Sequence, residues 1–153
     1  MIIKSLTHRI LPIALLLIAA CGGRPPGSST PAPKGEITVS PNMSAIVGYV
    51  ESRTGSETAP LTNTTVRLAE VMRFEEGDRA IFVLEGATSP GDITDEDGYF
   101  SIVDLKPGEY VIVVGEVIGE NEIISESNGN AKVFKAEQDS VLNVGILEVN
   151  LNN

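Results

Sequence analysis

Apolar residues in the second two-thirds of the chain recur in short alternating runs separated by turn formers. Ile46, Gly48 and Val50 fall on one side of an extended segment, as do Val66 and Leu68, Phe100 and Ile102, and Tyr110, Ile112 and Val114. A period of two puts such residues on one face of a half-buried strand, so these sides are expected to face the core. The pattern predicts strands over residues 45–51, 64–72, 79–85, 99–103, 109–118, 131–136 and 142–149, with a weaker one at 122–125. Glu76-Gly77-Asp78, Asp97-Gly98, Pro107-Gly108 and Asn128-Gly129 supply the reversals between them, and no stretch carries a helical stripe. Short strands punctuated this often belong to an all-β sandwich or barrel. The expectation is a single β-sandwich of about seven antiparallel strands over residues 44–153.

The region ahead of it has a different character. Residues 22–41 are rich in Gly, Pro and Ser and almost empty of large apolar side chains, so they cannot bury enough surface to fold. Residues 21–43 are therefore expected to be a disordered tether. At about 3.1 Å per residue in polyproline geometry its reach is at most about 60 Å.

Lys4 and Arg9 precede an apolar stretch over residues 10–20, the layout of a secretory signal peptide. That stretch is too short for a stable membrane-spanning helix, which needs about 20 apolar residues. Ile18-Ala19-Ala20-Cys21 resembles the lipobox of bacterial lipoproteins. The resemblance implies that Ile18, Ala19 and Ala20 are read by the signal peptidase, that residues 1–20 are removed, and that the Cys21 thiol carries a diacylglyceryl group. Membrane lipid would then be a partner through Cys21, and the protein would be extracytoplasmic, on the periplasmic face or the cell surface of a bacterium. An ordinary signal peptide with a cysteine beside its cut is the other reading. Multiple acyl chains are needed for firm retention, because one chain alone holds weakly.

Composition removes several chemistries. The formal net charge is −10, with 21 acidic against 11 basic side chains, so a nucleic-acid backbone would be repelled and no nucleic-acid partner is expected. The one histidine, His8, lies in the segment expected to be removed, and lipidation would consume the one cysteine. Zinc sites and Ser-His or Cys-His nucleophile pairs need those groups. Carboxylate acid–base work, a Ser-Lys pair and a calcium site remain open. No cofactor and no metal are expected.

One stretch carries a family pattern. Thr94-Asp95-Glu96-Asp97-Gly98-Tyr99-Phe100-Ser101-Ile102, followed by Leu105-Lys106-Pro107-Gly108-Glu109-Tyr110, resembles the carboxypeptidase regulatory-like domains, which are transthyretin-like, or prealbumin-like, Ig-like sandwiches. Ile46-Val47-Gly48-Tyr49-Val50 and Val66-Arg67-Leu68 are similar to the first two strands of that pattern. The resemblance implies structural work for Thr94, Asp95, Asp97, Gly98, Phe100, Leu105, Pro107, Gly108 and Tyr110. It implies no catalytic role, and residues 69–93 are longer than the pattern. Asp95, Asp97 and Gly98 also read as the start of a calcium loop, though the later ligands are missing.

The functional expectation is a non-catalytic, membrane-anchored binding or scaffolding lipoprotein with a protein or glycan partner in the cell envelope. A carbohydrate-binding module, with Tyr49, Tyr99 and Phe74 as a small stacking platform, is the alternative. An enzyme using carboxylates such as Asp95 and Asp97 comes third. The acidic stretch 116–126 is the first candidate contact surface, and an isopeptide bond at Asn143 or Asn150 is not expected because the first strand has no lysine.

Overall fold

The computed structural model describes residues 30–74, 80–86 and 88–151. Cys21, the Ile18-Ala19-Ala20 segment and the Glu76-Gly77-Asp78 turn lie outside the described residues.

The protein is an all-β sandwich of two sheets. Its strands are β1 (Ser44–Thr54), β2 (Glu57–Pro60), β3 (Thr65–Arg73), β4 (Ala80–Val83), β5 (Gly91–Ile93), β6 (Tyr99–Leu105), β7 (Gly108–Gly115), β8 (Asn121–Ile123), β9 (Val133–Ala136) and β10 (Ser140–Val149). In the first sheet β1 is central, with β10 along one edge and β6 followed by β2 along the other. In the second, β3 and β7 pair centrally; β5 and β4 share the far edge of β3, and β8 and β9 share the far edge of β7.

The alternation read from the sequence describes the core well. Ile46, Val50, Val66, Leu68, Phe100, Ile102, Tyr110, Ile112 and Val114 all lie in one buried cluster, joined by Leu61, Leu105, Leu147 and Val149. Gly48 belongs to the same face for a steric reason. A Cβ there would sit 2.6 Å from Val144 Cγ2 and 3.1 Å from the Phe100 ring, so glycine leaves room where β10 bulges against β1.

Two expectations are corrected. Ten strands are present among the described residues instead of about seven, because short polar strands such as Glu57–Pro60 and Gly91–Ile93 pair through their backbones without any apolar alternation. The sheets are also not wholly antiparallel, since β1 and β10 run parallel. The chain leaves β9 in one sheet, turns through Glu137–Asp139 and enters β10 in the other, in the direction already taken by β1. Beyond these, β7 stops at Gly115, which holds a φ of 105°, and Ile118 is 97% exposed.

Residues 30–43 do not behave as a segment without packing. Pro31, Pro33, Ile37 and Val39 are half-buried in alternation with exposed neighbours. Asn143 Nδ2 donates to the Pro31 carbonyl, the Tyr49 hydroxyl to the Ala32 carbonyl, and the Ser40 N–H to Asp104. The strap is thus fastened in turn to β10, β1 and the end of β6. With these contacts the outward-parity residues Ala45, Val47 and Tyr99 are buried.

Candidate functional site

The acidic turn forms from local chemistry. The Gly98 N–H donates to the Asp95 carbonyl and the Asp95 N–H to the Tyr99 carbonyl, closing the β5–β6 reversal. Asp95 Oδ1 accepts the N–H groups of both Asp97 and Tyr99, each at 2.9 Å, as an aspartate at the head of a turn does. Gly98 holds a φ of 73°, and its carbonyl accepts the Val50 N–H. Thr94, buried just before the turn, accepts the Thr64 N–H and donates to the Leu61 carbonyl at 2.6 Å, which locks the β2–β3 connection onto the hairpin.

The remaining carboxylate oxygens face the strap. Lys34 Nζ lies 2.6 Å from Asp95 Oδ2 and 2.5 Å from Asp97 Oδ2, and 5.9 Å from the centre of the Tyr99 ring. The Lys34 hydrogen bond lowers the Asp95 carboxyl most; desolvation opposes it, and the Tyr99 and Asp97 N–H groups add to the lowering, so the carboxyl is held below its usual range. The two aspartates in turn raise the Lys34 ammonium above the ordinary lysine value. A lysine therefore fills the position a cation would take in a calcium loop. Among the described residues no group of three or more His, Cys, Asp or Glu side chains could hold a metal ion.

Tyr49 and Tyr99 do stand on the outward side of their strands, yet they form no stacking platform. Tyr99 is 8% exposed, and its ring meets Tyr49 at 5.1 Å with a 56° tilt, beneath the strap. Phe74 is 53% exposed at the end of β3, on the other sheet. Phe100 and Leu105 fill the core, and Pro107-Gly108 turns the chain so that the Tyr110 hydroxyl can donate 2.7 Å to the Lys106 carbonyl. The acidic stretch 116–126 is partly committed: Asn121 caps the Glu116 and Gly119 carbonyls, and Glu122 accepts the Asn150 N–H. Asn143 is engaged by Pro31 and by the Gly145 N–H.

Sequence reasoning missed a groove of about 370 Å³ among the described residues, lined from β3, β4, the β6–β7 turn and the end of the strap. Met43, Leu68, Met72, Val83, Leu105 and the Tyr110 ring form its apolar lining. Glu70, Glu85 and Asp104 stand around it with one lysine, Lys106. Burial, and then the charge of Glu70, raises the Tyr110 phenol. The Ser40 N–H and hydroxyl hold the Asp104 carboxyl below its usual range. The inward parity of Glu70 and Met72 at the end of β3 was the one available signal in the sequence.

No family model matches the chain, and no curated protein matches it significantly. Solved structures similar in backbone include the following three. A candidate carbohydrate-binding protein from Pseudomonas aeruginosa is 17% identical at a TM-score of 0.43, covering 71% of this chain and 89% of that one. The minor pilin GBS52 of Streptococcus agalactiae is 19% identical at 0.41, covering 73% of this chain and 47% of that one. A 9R-lipoxygenase from Cyanothece is 13% identical at 0.35, covering 78% of this chain and 18% of that one. At these TM-scores the likenesses carry no argument about what this chain does. Among the described residues no helix is long and apolar enough to cross a membrane.

Proposed function

We propose that the chain is a non-catalytic, extracytoplasmic binding or scaffolding lipoprotein, anchored to a bacterial membrane by a diacylglyceryl group on Cys21. The observation that carries this reading is the strap. Residues 30–43 are fixed on the outer face of one sheet, so an anchor at Cys21 would be joined to the sandwich by residues 22–29 alone. At about 3.3–3.6 Å per extended residue, that link spans at most about 30 Å. Such a link holds the domain close to the bilayer and leaves the opposite sheet free for contacts. The commitment of the Asp95 carboxylate to Lys34 and to two backbone N–H groups, and of the Asp97 carboxylate to Lys34, supports a structural and not a catalytic role for the turn.

Intact mass and membrane fractionation of the full chain and of Cys21→Ala test the anchor. The expected result is a lipid-modified, processed, membrane-retained wild type and an unprocessed variant without the thioether lipid. Wild-type protein with an unmodified Cys21 would overturn the reading.

Glycan binding is the second reading, and the exposure of Phe74 and Phe82 on the β3–β4 hairpin favours it. Either ring would supply a stacking surface in place of the covered Tyr49 and Tyr99. Retention on immobilised polysaccharide that is lost in Phe74→Ala with Phe82→Ala would select it.

A further inference from the structure

We propose that the free edge of β4 and the groove beneath it form a docking site for an extended partner segment in which basic and apolar residues alternate. The proposal rests on the reading of this chain as a binding module and names the surface and the chemistry of the partner.

The first observation is the edge. Among the described residues β4 pairs with β3 alone, so its other side presents unpaired backbone groups. Proteins blunt exposed edges with prolines, lysines, bulges or coverings, because such an edge pairs readily with another chain. The longer edge strand β10 carries a bulge, and the strap crosses it at Asn143. Ala80–Val83 has no proline, no charge and no bulge in its register, and it exposes both Ile81 and Phe82.

The second observation is what lies beside that edge. Val83 pairs with Glu70 and Ile81 with Met72, so these residues share the inward parity, while Phe82 pairs with Val71 on the outward side. A strand added to β4 would direct alternate side chains inward, over the 370 Å³ groove, and the others outward beside Phe82. The groove has an apolar floor containing two methionines, which adapt to varied shapes, and three carboxylates stand around it against one lysine. Neither Glu70 nor Lys106 makes an ion pair with a described residue. Lysine and arginine suit this environment, because their methylene stems lie on apolar surface while the charged head reaches the rim. The segment that fits therefore has basic residues facing in and β-branched or aromatic residues facing out.

Charge selects this occupant over a second copy of the chain. Two-fold pairing of β4 with β4 would bring two sets of Glu70, Glu85 and Asp104 together, whereas a basic strand complements them.

The test uses the full chain in detergent and a fluorescein-labelled hexapeptide of alternating Lys and Val, read by anisotropy. Saturable binding that weakens with salt is expected, with affinity reduced at least tenfold in Glu70→Gln with Glu85→Gln. The same peptide N-methylated at alternate positions on its pairing edge is expected to lose binding, and a Glu-Val peptide to show none. Unchanged melting of the double variant shows that the fold is kept. Equal binding of the N-methylated peptide, equal binding by the double variant, or no saturable binding would overturn the proposal. So would a wild-type dimer in sedimentation that Phe82→Lys dissociates. Failure of the peptide to bind a chain still retained in the membrane through Cys21 removes this site and leaves the anchored reading standing.

Discussion

Lys34 Nζ lies 2.6 Å from Asp95 Oδ2, 61 positions later in the chain, and so ties the strap to the turn between β5 and β6. The groups are partly exposed, so the pair acts as a clip on the strap more than as a support of the core. Its pH dependence follows from both partners. A carboxyl depressed in the folded state contributes fully above its unfolded value of about 4 and loses that contribution as pH falls through the lower folded value. A raised ammonium contributes below its unfolded value of about 10.4 and loses it only as pH rises through the higher folded value. The strap is therefore expected to stay docked from about pH 5 to 10. The Gly35 amide resonance should move to a released position only below about pH 4, and in Lys34→Gln the transition should be absent.

Calcium is expected to leave the melting temperature unchanged at millimolar concentration. Asp95 Oδ1 is taken by two N–H groups, and the Oδ2 atoms of Asp95 and Asp97 face one ammonium. Thermal unfolding with calcium and with chelator checks this. A clear rise that Asp95→Ala with Asp97→Ala removes would identify a metal site.

Gly98→Ala is expected to cost about 3 kcal/mol or more. Its φ of 73° disfavours any side chain, and a Cβ would lie 2.3 Å from the Val50 carbonyl oxygen, which already accepts the Leu61 N–H. Gly129, at a φ of 84° with nothing within 4 Å of its Cβ position, serves as the control. Denaturant unfolding of Gly98→Ala and Gly129→Ala should show a much smaller loss for the second.

Thr94→Val keeps the shape but leaves the Leu61 carbonyl and the Thr64 N–H without the hydroxyl that each now contacts. A loss of about 1–3 kcal/mol is expected, with the β2–β3 connection loosening first. Hydrogen exchange at the Thr64 amide is the measurement, and it should accelerate more than exchange at Ile112 in the core.

What was legible in the sequence was decided over a few residues. The inward positions of β1, β3, β6 and β7 follow from an alternation that local backbone geometry enforces, and Asp97-Gly98 names its own turn. What was not legible depends on partners far along the chain. Glu57–Pro60 is a strand because residues 51–54 lie beside it, not because of its own composition. Lys34 looks like a solvated charge in a proline-rich linker until the fold brings Asp95 and Asp97 to it. The groove escaped notice because Met43, Met72, Leu105 and Tyr110 reach it from four separate elements, each of which reads alone as ordinary core.

The parallel pairing of β1 with β10 sets when the molecule can finish folding. Ser44 is matched with Ser140 and Ser52 with Val149, and Leu147 and Val149 complete the same core that Ile46 and Val50 begin. Nearly the whole domain must therefore be looped out before its first strand, paired on one side with β2 and β6, acquires the neighbour on its other side, a closure that slows folding. During synthesis, β1 emerges long before β10 and must wait in an open form. A ribosome stalled short of Ser140, or a protease that clips the last strand, leaves a chain with its central strand half unpaired, so arrest and degradation act on the entire sandwich and not on one terminus.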